Sequence, residues 1–176
     1  IITSIIAIST VTNEVIMEGV QLRLAEPHEA KRLWYLRNKA LRFGCQHVYP
    51  PDILATWTPD EMPDGYRQSI INNPFYVIDD KKLSIPVASG FLDLKTGFAE
   101  AIFTLPECMG KGYAGLILKQ LQYEAKQRNF VQLFLDATPN AMLFYLKQGF
   151  TVLEEREYYS SLAQASLHCY RMYIDL

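Results

Sequence analysis

The sequence predicts a single mixed α/β domain, built as a twisted and mostly antiparallel sheet of about six to seven strands flanked by helices. Three observations lead to this fold class. The chain has 176 residues, the length of one domain. Hydrophobic residues make up 49% of it and charged residues 20%, as in soluble globular proteins. Finally, the spacing of apolar residues alternates along the chain between the period of a strand and that of a helix.

The first elements follow from this spacing. Residues 1–19 are an N-terminal extension or an extra strand, and the domain proper covers 20–176. The apolar run 1–8 has no basic residue before it, which disfavours a secretory signal. Val20, Leu22 and Leu24 alternate with polar residues and predict a first strand. An apolar stripe then predicts a helix from Pro27 to Gly44.

The remaining elements follow in order. Four prolines in 45–73 predict short helices and loops. Two hairpins are expected from strands at 75–78, 86–94 and 98–105, and a strand–helix–strand crossover follows, with its second strand at 131–135. The next helix is predicted to begin at Thr138, as N-cap, with Pro139 in its first position and Gly149 at its end. Two strands, at about 151–158 and 167–175, complete the sheet.

Charge and cysteine content exclude several classes of protein. A net charge of −2 disfavours nucleic-acid binding through a broad basic face. Cys45, Cys108 and Cys169 provide neither a disulfide framework nor a CxxC metal pair, and no histidines have metal-ligand spacing, so we expect a cytoplasmic protein without a metal. No apolar run is long enough for a membrane-spanning helix, and no membrane partner is expected. The basic residues of the first helix, Arg37 among them, are interpreted as surface residues.

A glycine-rich turn, Met109 to Gly115, is the first candidate site. Without β-carbons at its glycines, the backbone can approach a ligand closely, and amides at a helix N-terminus suit an anion such as a pyrophosphate. The alternative is that the glycines only permit a tight strand-to-helix connection. A P-loop is excluded because Leu105 stands where its first glycine is required. A dinucleotide fingerprint is disfavoured because hairpins precede the turn.

The turn and a second segment together resemble the GNAT superfamily of acyl-coenzyme A-dependent N-acyltransferases. The run Gly110-Lys111-Gly112-Tyr113-Ala114 is similar to the glycine signature of that family, with Met109 in place of its usual Arg or Gln. The run from Ala141 to Phe150 is similar to the family's Ala-x-x-x-Tyr-x-x-x-Gly-Phe segment, with Thr138 in place of a usual Asn. In element order, the resemblance covers about residues 20–176.

This resemblance implies an N-acetyltransferase that moves an acetyl group from acetyl-CoA, its co-substrate, to a primary amine of a small molecule or protein, by direct attack in a ternary complex. It implies that Tyr145 is the acid near the coenzyme sulfur; a core tyrosine is the alternative. Glu100 is the proposed base, because a carboxylate inside an apolar strand has a raised pKa; a solvent-facing Glu is the alternative. The expected coenzyme-binding residues are Phe103, Thr104, Leu105, Met109, Gly110, Lys111, Gly112, Tyr113, Ala114, Gly115, Thr138 and Asn140.

The acceptor is expected beside region 45–73. Its aromatic residues and its acids suit a small cationic amine, although the acids could equally be solvated surface residues. The residues are Tyr49, Trp57, Tyr66, Asp52, Asp60, Glu61 and Asp64. Two other hypotheses stay open. The chain could be a non-catalytic acyl-CoA binding or sensing module, or an interaction domain that forms a homodimer through strand pairing of its isoleucine-rich N-terminus.

Overall fold

The computed structural model describes residues 15–17 and 20–176. Over these residues its helices are Ala30–Gly44 (α1), Pro51–Trp57 (α2), Asp64–Asn72 (α3), Tyr113–Gln127 (α4) and Met142–Lys147 (α5). Its strands are Val15–Met17 (β1), Val20–Leu24 (β2), Phe75–Asp80 (β3), Ile85–Asp93 (β4), Phe98–Thr104 (β5), Gln132–Ala137 (β6), Thr151–Ser160 (β7) and Ala165–Asp175 (β8). The predicted fold class is confirmed, and β1 brings the sheet to eight strands in the described part of the chain.

All strands join one sheet in the order β1-β2-β3-β4-β5-β6-β8-β7. Every neighbouring pair is antiparallel except β5 and β6, which run parallel. These two strands are in register at a single residue pair, Phe98 with Phe134, where the Phe134 N–H donates to the Gly97 carbonyl at 3.2 Å. Beyond this pair β5 and β6 diverge, so the middle of the sheet contains a cleft.

The two faces of the sheet are covered by different helices. Alternating residues of β3 point to opposite sides: Tyr76 packs in the same cluster as Ile117 of α4, whereas Phe75 packs with Leu33 of α1 and Ile70 of α3. The amphipathic stripes read from the sequence therefore bury α1 and α3 on one face and α4 on the other. This arrangement leaves the cleft between β5 and β6 bordered by helices from both sides.

A β-bulge lies in the part of β5 that is not paired with β6. Ala101 has a positive φ of 53°, and the pairing of β4 with β5 shifts register between Ser89 and Phe91. The Ser89 hydroxyl donates to the Ala101 carbonyl at 2.9 Å and holds the bulge in place. Opposite it, a β-carbon on Gly90 would lie 2.4 Å from an Ile117 side-chain atom and 2.6 Å from one of Ile102. A bulge bends its strand, and this one lies in the part of β5 beyond its single residue pair with β6.

The predicted start of the fifth helix is wrong. The fifth helix begins at Met142 with Ala141 as its N-cap, not at Thr138 and Pro139. The Ala141 N–H donates to the Thr138 carbonyl at 2.9 Å, so these residues form a turn before the helix. Gly149, with φ of 94°, follows the helix as predicted. The short helices expected in 45–73 are α2 and α3, and the predicted strands are all present with ends that differ by a few residues.

Candidate active site

The cleft opens into a cavity of about 1110 Å³ that the predicted site residues share. All of them line it except Leu105 and Lys111. The lining set is Glu100, Phe103, Thr104, Met109, Gly110, Gly112, Tyr113, Ala114, Gly115, Thr138, Asn140 and Tyr145. Residues that are far apart in sequence therefore border one space, with the glycine turn and the two candidate catalytic side chains on the same cavity.

The glycine turn presents unused backbone donors to this cavity. Gly110 and Gly112 have φ values of 79° and 84°, and a β-carbon on either would meet no atom within 4 Å, so the turn is open on its outer side. The first bond of α4 runs from the Leu116 N–H to the Gly112 carbonyl at 3.1 Å. The amides that precede Leu116 have no helical acceptor. Together with the helix dipole they form an arrangement that suits an anion such as a diphosphate.

Lys111 lies beside the turn but outside the cavity. Its Nζ atom is 3.8 Å from a carboxylate oxygen of Asp80, which also accepts a hydrogen bond from the Tyr113 hydroxyl at 3.3 Å. The backbone N–H of Lys82 is the main cause that lowers the pKa of Asp80, so this carboxylate is ionised at neutral pH. Asp80 therefore holds the side chains of Lys111 and Tyr113, on either side of Gly112, in place. The coenzyme contact expected of Lys111 stays a prediction.

The backbone of β5 corrects part of the predicted donor set. The Leu105 N–H donates to the Val87 carbonyl at 2.9 Å, so it is not available to a ligand, and Leu105 is wrong as a donor. Antiparallel strands alternate the direction of their amides, which turns the N–H of Phe103, opposite Ser89, toward β4 as well. Thr104 lies between these two and directs its N–H toward the cleft. Of the three, Thr104 is the residue placed to donate.

Tyr145 lies on α5 with its ring fixed by neighbouring aromatic residues. Its ring centroid is 5.2 Å from that of Phe144 and 5.9 Å from that of Phe150, both in edge arrangements. The residue is 7% exposed, and burial raises the pKa of its hydroxyl above the ordinary value, with a smaller contribution from the negative charge of Glu100. The phenol is therefore protonated at neutral pH and can donate a proton inside the cavity.

Glu100 has the properties of a base that works near neutral pH. Although Glu100 is exposed to the open cavity, the surrounding protein atoms reduce the hydration of its carboxyl, and this desolvation together with the charges of Asp136 and Asp93, opposed by Arg171, raises its pKa to about 7. Arg171 is engaged by Asp136, to which it donates two hydrogen bonds of 2.9 Å. Glu100 therefore lacks an ion-pair partner among the described residues, and its carboxylate is accessible to solvent in the cavity.

The acceptor side differs from the prediction in its charges. Tyr49, Trp57 and Tyr66 line the cavity as expected. The four predicted acids do not, and three of them border a separate surface depression beside Lys31 and Arg67; the four are Asp52, Asp60, Glu61 and Asp64. The prediction that these acids attract a cationic amine into the site is therefore wrong, because region 45–73 turns its aromatic residues inward and its carboxylates outward.

Arg37 is a cavity residue that the sequence analysis missed. It was interpreted as a surface residue of α1, yet it is 8% exposed and lines the cavity. Its guanidinium carbon lies 4.3 Å from the centroid of the Trp34 ring and 5.6 Å from that of Trp57. The signal in the sequence was its helical spacing of three and four from Trp34 and Leu41, which places it on the buried stripe of the helix.

The three cysteines line the cavity. Cys45, Cys108 and Cys169 are buried, and burial raises the pKa of Cys45 and Cys169 to about 11 and also raises that of Cys108, which makes these thiols poor nucleophiles. Over residues 15–17 and 20–176, no group of three or more His, Cys, Asp or Glu side chains could hold a metal ion. None of the described helices combines the length and apolar character needed to cross a membrane.

Comparisons with known proteins agree with this geometry. The family model described as an acetyltransferase (GNAT) domain matches residues 72–152. No curated protein sequence matches the chain significantly. Among solved structures, a GCN5-related N-acetyltransferase from Rhodopseudomonas palustris has a TM-score of 0.81 at 16% identity, covering 92% of this chain and 98% of that chain.

Two further solved structures were determined with a coenzyme. The PaiA N-acetyltransferase from Thermoplasma acidophilum in complex with coenzyme A has a TM-score of 0.73 at 14% identity, covering 90% of this chain and 100% of that chain. YncA from Salmonella typhimurium with its cofactor acetyl-CoA has a TM-score of 0.63 at 16% identity, covering 90% of this chain and 94% of that chain. At these identities the likeness shows a shared fold.

Proposed function

We propose that this chain, which has the fold of GNAT acetyltransferases and matches their family model over residues 72–152, belongs to that family and transfers an acetyl group from acetyl-CoA to a primary amine. The nitrogen attacks the thioester directly in a ternary complex, with no covalent enzyme intermediate. Glu100 is the base, Tyr145 is the acid, and the amides of the glycine turn and of Thr104 bind the coenzyme. The homodimer and the cytoplasmic location remain predictions.

The shared cavity is the observation that supports this proposal. Open amides of the turn that begins α4 lie on one part of its wall, and Glu100 and Tyr145 lie on another. A ligand with an anionic diphosphate and a long uncharged arm fits a space that offers helix N-terminal donors and leads between two diverging strands. The open space beside Gly110 and Gly112 leaves the backbone approachable, as such a ligand requires.

The two side chains supply opposite proton transfers. The Glu100 carboxylate takes a proton from the ammonium form of the acceptor, which frees the nitrogen lone pair to form a C–N bond with the thioester carbonyl. The Thr104 N–H can donate to the oxygen on which negative charge develops. When the C–S bond breaks, Tyr145 gives its proton to the departing sulfur. After the attack, the nitrogen that now carries the acetyl group loses one more proton, which restores the Tyr145 hydroxyl. Glu100 releases the proton that it took from the ammonium group to solvent.

A Tyr145→Phe variant tests this assignment. Removal of the hydroxyl leaves the ring packing against Phe144 and Phe150 intact, so coenzyme affinity in calorimetry should stay within about twofold while kcat falls by about 10²-fold or more, the usual contribution of a positioned acid. A Tyr123→Phe variant is the matched control, because Tyr123 is 58% exposed on α4. Equal kcat in the Tyr145 variant and the wild type would remove the acid role.

The same measurements separate the enzyme from a binding module. The proposal expects thiol release from acetyl-CoA with at least one amine and a product heavier by one acetyl group. Coenzyme binding without turnover over a broad panel of amines would instead support the acyl-CoA sensing module. Absence of coenzyme binding would contradict both, because both rely on the open amides that precede Leu116.

A further inference from the structure

The guanidinium of Arg37 is a buried cation without an acidic partner. Its Nη1 atom donates to the Asn38 side chain at 2.7 Å and to the Trp57 carbonyl at 3.0 Å. Its Nε and Nη2 atoms donate to no described residue, and no carboxylate affects its pKa, which burial lowers to about 10. The group is still charged at neutral pH. A buried charge without a charged partner is costly, so the free energy of this arrangement improves when an anion binds there.

Tyr66 adds a second unpaired donor at the same place. Its hydroxyl is buried and has no hydrogen-bond partner among the described residues, although it lines the cavity. The Trp34 ring joins the two groups, since its centroid is 5.0 Å from that of Tyr66 and 4.3 Å from the Arg37 guanidinium carbon. Buried donors in native proteins are paired, so the buried Tyr66 hydroxyl without an acceptor, together with a guanidinium whose Nε and Nη2 donate to no described residue, indicates an acceptor atom on a ligand.

This donor pair lies toward the Glu100 part of the cavity. Tyr66 packs in the same hydrophobic cluster as Phe91 and Ala101, and Phe91 is the cross-strand partner of Glu100. The glycine turn borders the cavity after the opposite end of β5, beyond Thr104. The Arg37 site is therefore placed beside the acceptor amine rather than beside the coenzyme diphosphate.

We propose that the acceptor of this enzyme carries a carboxylate as well as its amine, and that Arg37 and Tyr66 bind the carboxylate. This inference rests on the proposed acetyl transfer. Glu100 offers a negative pole to the ammonium of such a zwitterion, and Arg37 offers a positive pole to its anionic end. The acceptor class is that of amino acids, ω-amino acids and peptides with a free C-terminus.

A carboxylate fits this site better than a phosphate group. Arg37 is the one cationic side chain among the described residues that line the cavity, and a single guanidinium balances one negative charge. Its remaining Nε and Nη2 donors have the spacing of the two oxygens of a carboxylate. The Trp34 and Trp57 rings lie 4.3 Å and 5.6 Å from the guanidinium carbon and flank this planar group.

Matched acceptors test the proposal. The panel contains the twenty amino acids, their amides, the corresponding decarboxylated amines, 4-aminobutyrate, short peptides, spermidine and phosphoethanolamine, assayed by thiol release. At least one carboxylate-bearing acceptor should show kcat/KM about tenfold or more above its own amide. Each member of the panel is also titrated by calorimetry into the protein saturated with coenzyme A. This titration measures acceptor binding in the absence of turnover.

Variants assign the preference to the two residues. Arg37→Met should abolish the tenfold ratio of acid to amide, and Arg37→Lys should restore part of it. Tyr66→Phe should raise KM several-fold with little change in kcat. Lys39→Met is the matched control, since Lys39 is an exposed cation on the same helix. Coenzyme affinity should be the same in all four variants, which also shows that each has folded.

The outcomes separate this inference from the proposed function. If carboxylates bind the coenzyme-saturated protein in preference to amides and no acceptor is turned over, the acetyl transfer fails and the carboxylate site stands. If turnover occurs but amides, spermidine or phosphoethanolamine are better acceptors, or if the ratio is unchanged in Arg37→Met, the carboxylate site is wrong. Arg37 would then serve only to fix the Trp57 segment against α1.

Discussion

At the scale of single residues, the pKa of Glu100 predicts how activity depends on pH. The carboxyl must be deprotonated to act as a base, and its pKa is raised to about 7. We therefore expect kcat/KM to increase with pH up to about 7 and then level off, where an ordinary Glu would already be ionised above about 5. In Glu100→Gln this acidic limb of the pH profile, the rise of kcat/KM up to about pH 7, should disappear, and kcat should fall by about 10²-fold or more. Both are measured with one acceptor across pH 5 to 9.

Asp93 provides the control for this assignment. Its negative charge contributes to the raised pKa of Glu100, so Asp93→Asn should move the limb to lower pH without a large loss of turnover at pH 8. The Asn side chain can still accept the hydrogen bond that Asp93 receives from the Lys95 N–H. A limb that stays in place in Asp93→Asn, or that persists in Glu100→Gln, would assign the titration to another group.

Residue types and spacing led to two candidate residues, Glu100 and Tyr145, that line the cavity. Glu100 stood out because a carboxylate interrupts an apolar strand, and Tyr145 because its spacing to Ala141 and Gly149 matched a family pattern. The sequence did not predict that the Leu105 N–H donates to the Val87 carbonyl, because that hydrogen bond depends on the register between β4 and β5. Arg37 was missed because a basic residue on a helix usually lies at the surface, a rule that outweighed its spacing from the apolar residues Trp34 and Leu41 on the buried side of α1.

At the scale of elements, the β5 bulge depends on the absence of a side chain at Gly90. A Gly90→Ala β-carbon would lie 2.4 Å from an Ile117 atom and 2.6 Å from an Ile102 atom, too close for both helix α4 and strand β5 to keep their places. We expect a loss of about 1–3 kcal/mol in the free energy of unfolding, measured in denaturant. Because the bulge also shapes the cleft, coenzyme affinity should fall as well.

Gly65→Ala is the matched control for this prediction. Gly65 lies in α3, where a β-carbon would meet no atom within 4 Å, and Ala favours a helix by about 0.5–1 kcal/mol over Gly. The same substitution should thus leave stability unchanged or raise it. Equal effects at both positions would show that the cost at Gly90 does not come from the contacts with Ile117 and Ile102.

Element types were predictable where the pattern was regular, and element ends were not. Turn-forming stretches marked the limits of β3, β4 and β5, and the helical spacing of apolar residues predicted the crossover helix α4. Thr138 and Pro139 carried the usual signals of a helix start, but the chain makes a turn there first, with Thr138 bonded to Ala141. That turn brings Thr138 and Asn140 to the cavity wall, where Asn140 accepts a hydrogen bond from the Cys45 thiol at 3.4 Å.

At the scale of the whole molecule, the sheet consists of two antiparallel parts, β1–β5 and β6–β8, that meet at one parallel junction. In the described chain this junction has a single residue pair in register, so few backbone hydrogen bonds join the two parts there. The cavity lies at this junction and is lined by residues of both parts, among them Thr104 and Asp136. A ligand in the cleft would therefore contact both parts and stabilise the sheet as one unit.

This leads to a prediction for thermal unfolding. Coenzyme A at about 100 times its Kd should stabilise the folded protein by about 2.7 kcal/mol, which for a domain of this size raises Tm by about 5–10 °C in a calorimetric scan. Pantetheine lacks the diphosphate that the amides before Leu116 would bind, and adenosine 3′,5′-bisphosphate lacks the arm that would enter the cleft. Each fragment should therefore give a smaller shift than the whole coenzyme at equal concentration. A shift from the bisphosphate equal to that from coenzyme A would mean that the cleft between β5 and β6 takes no part in binding.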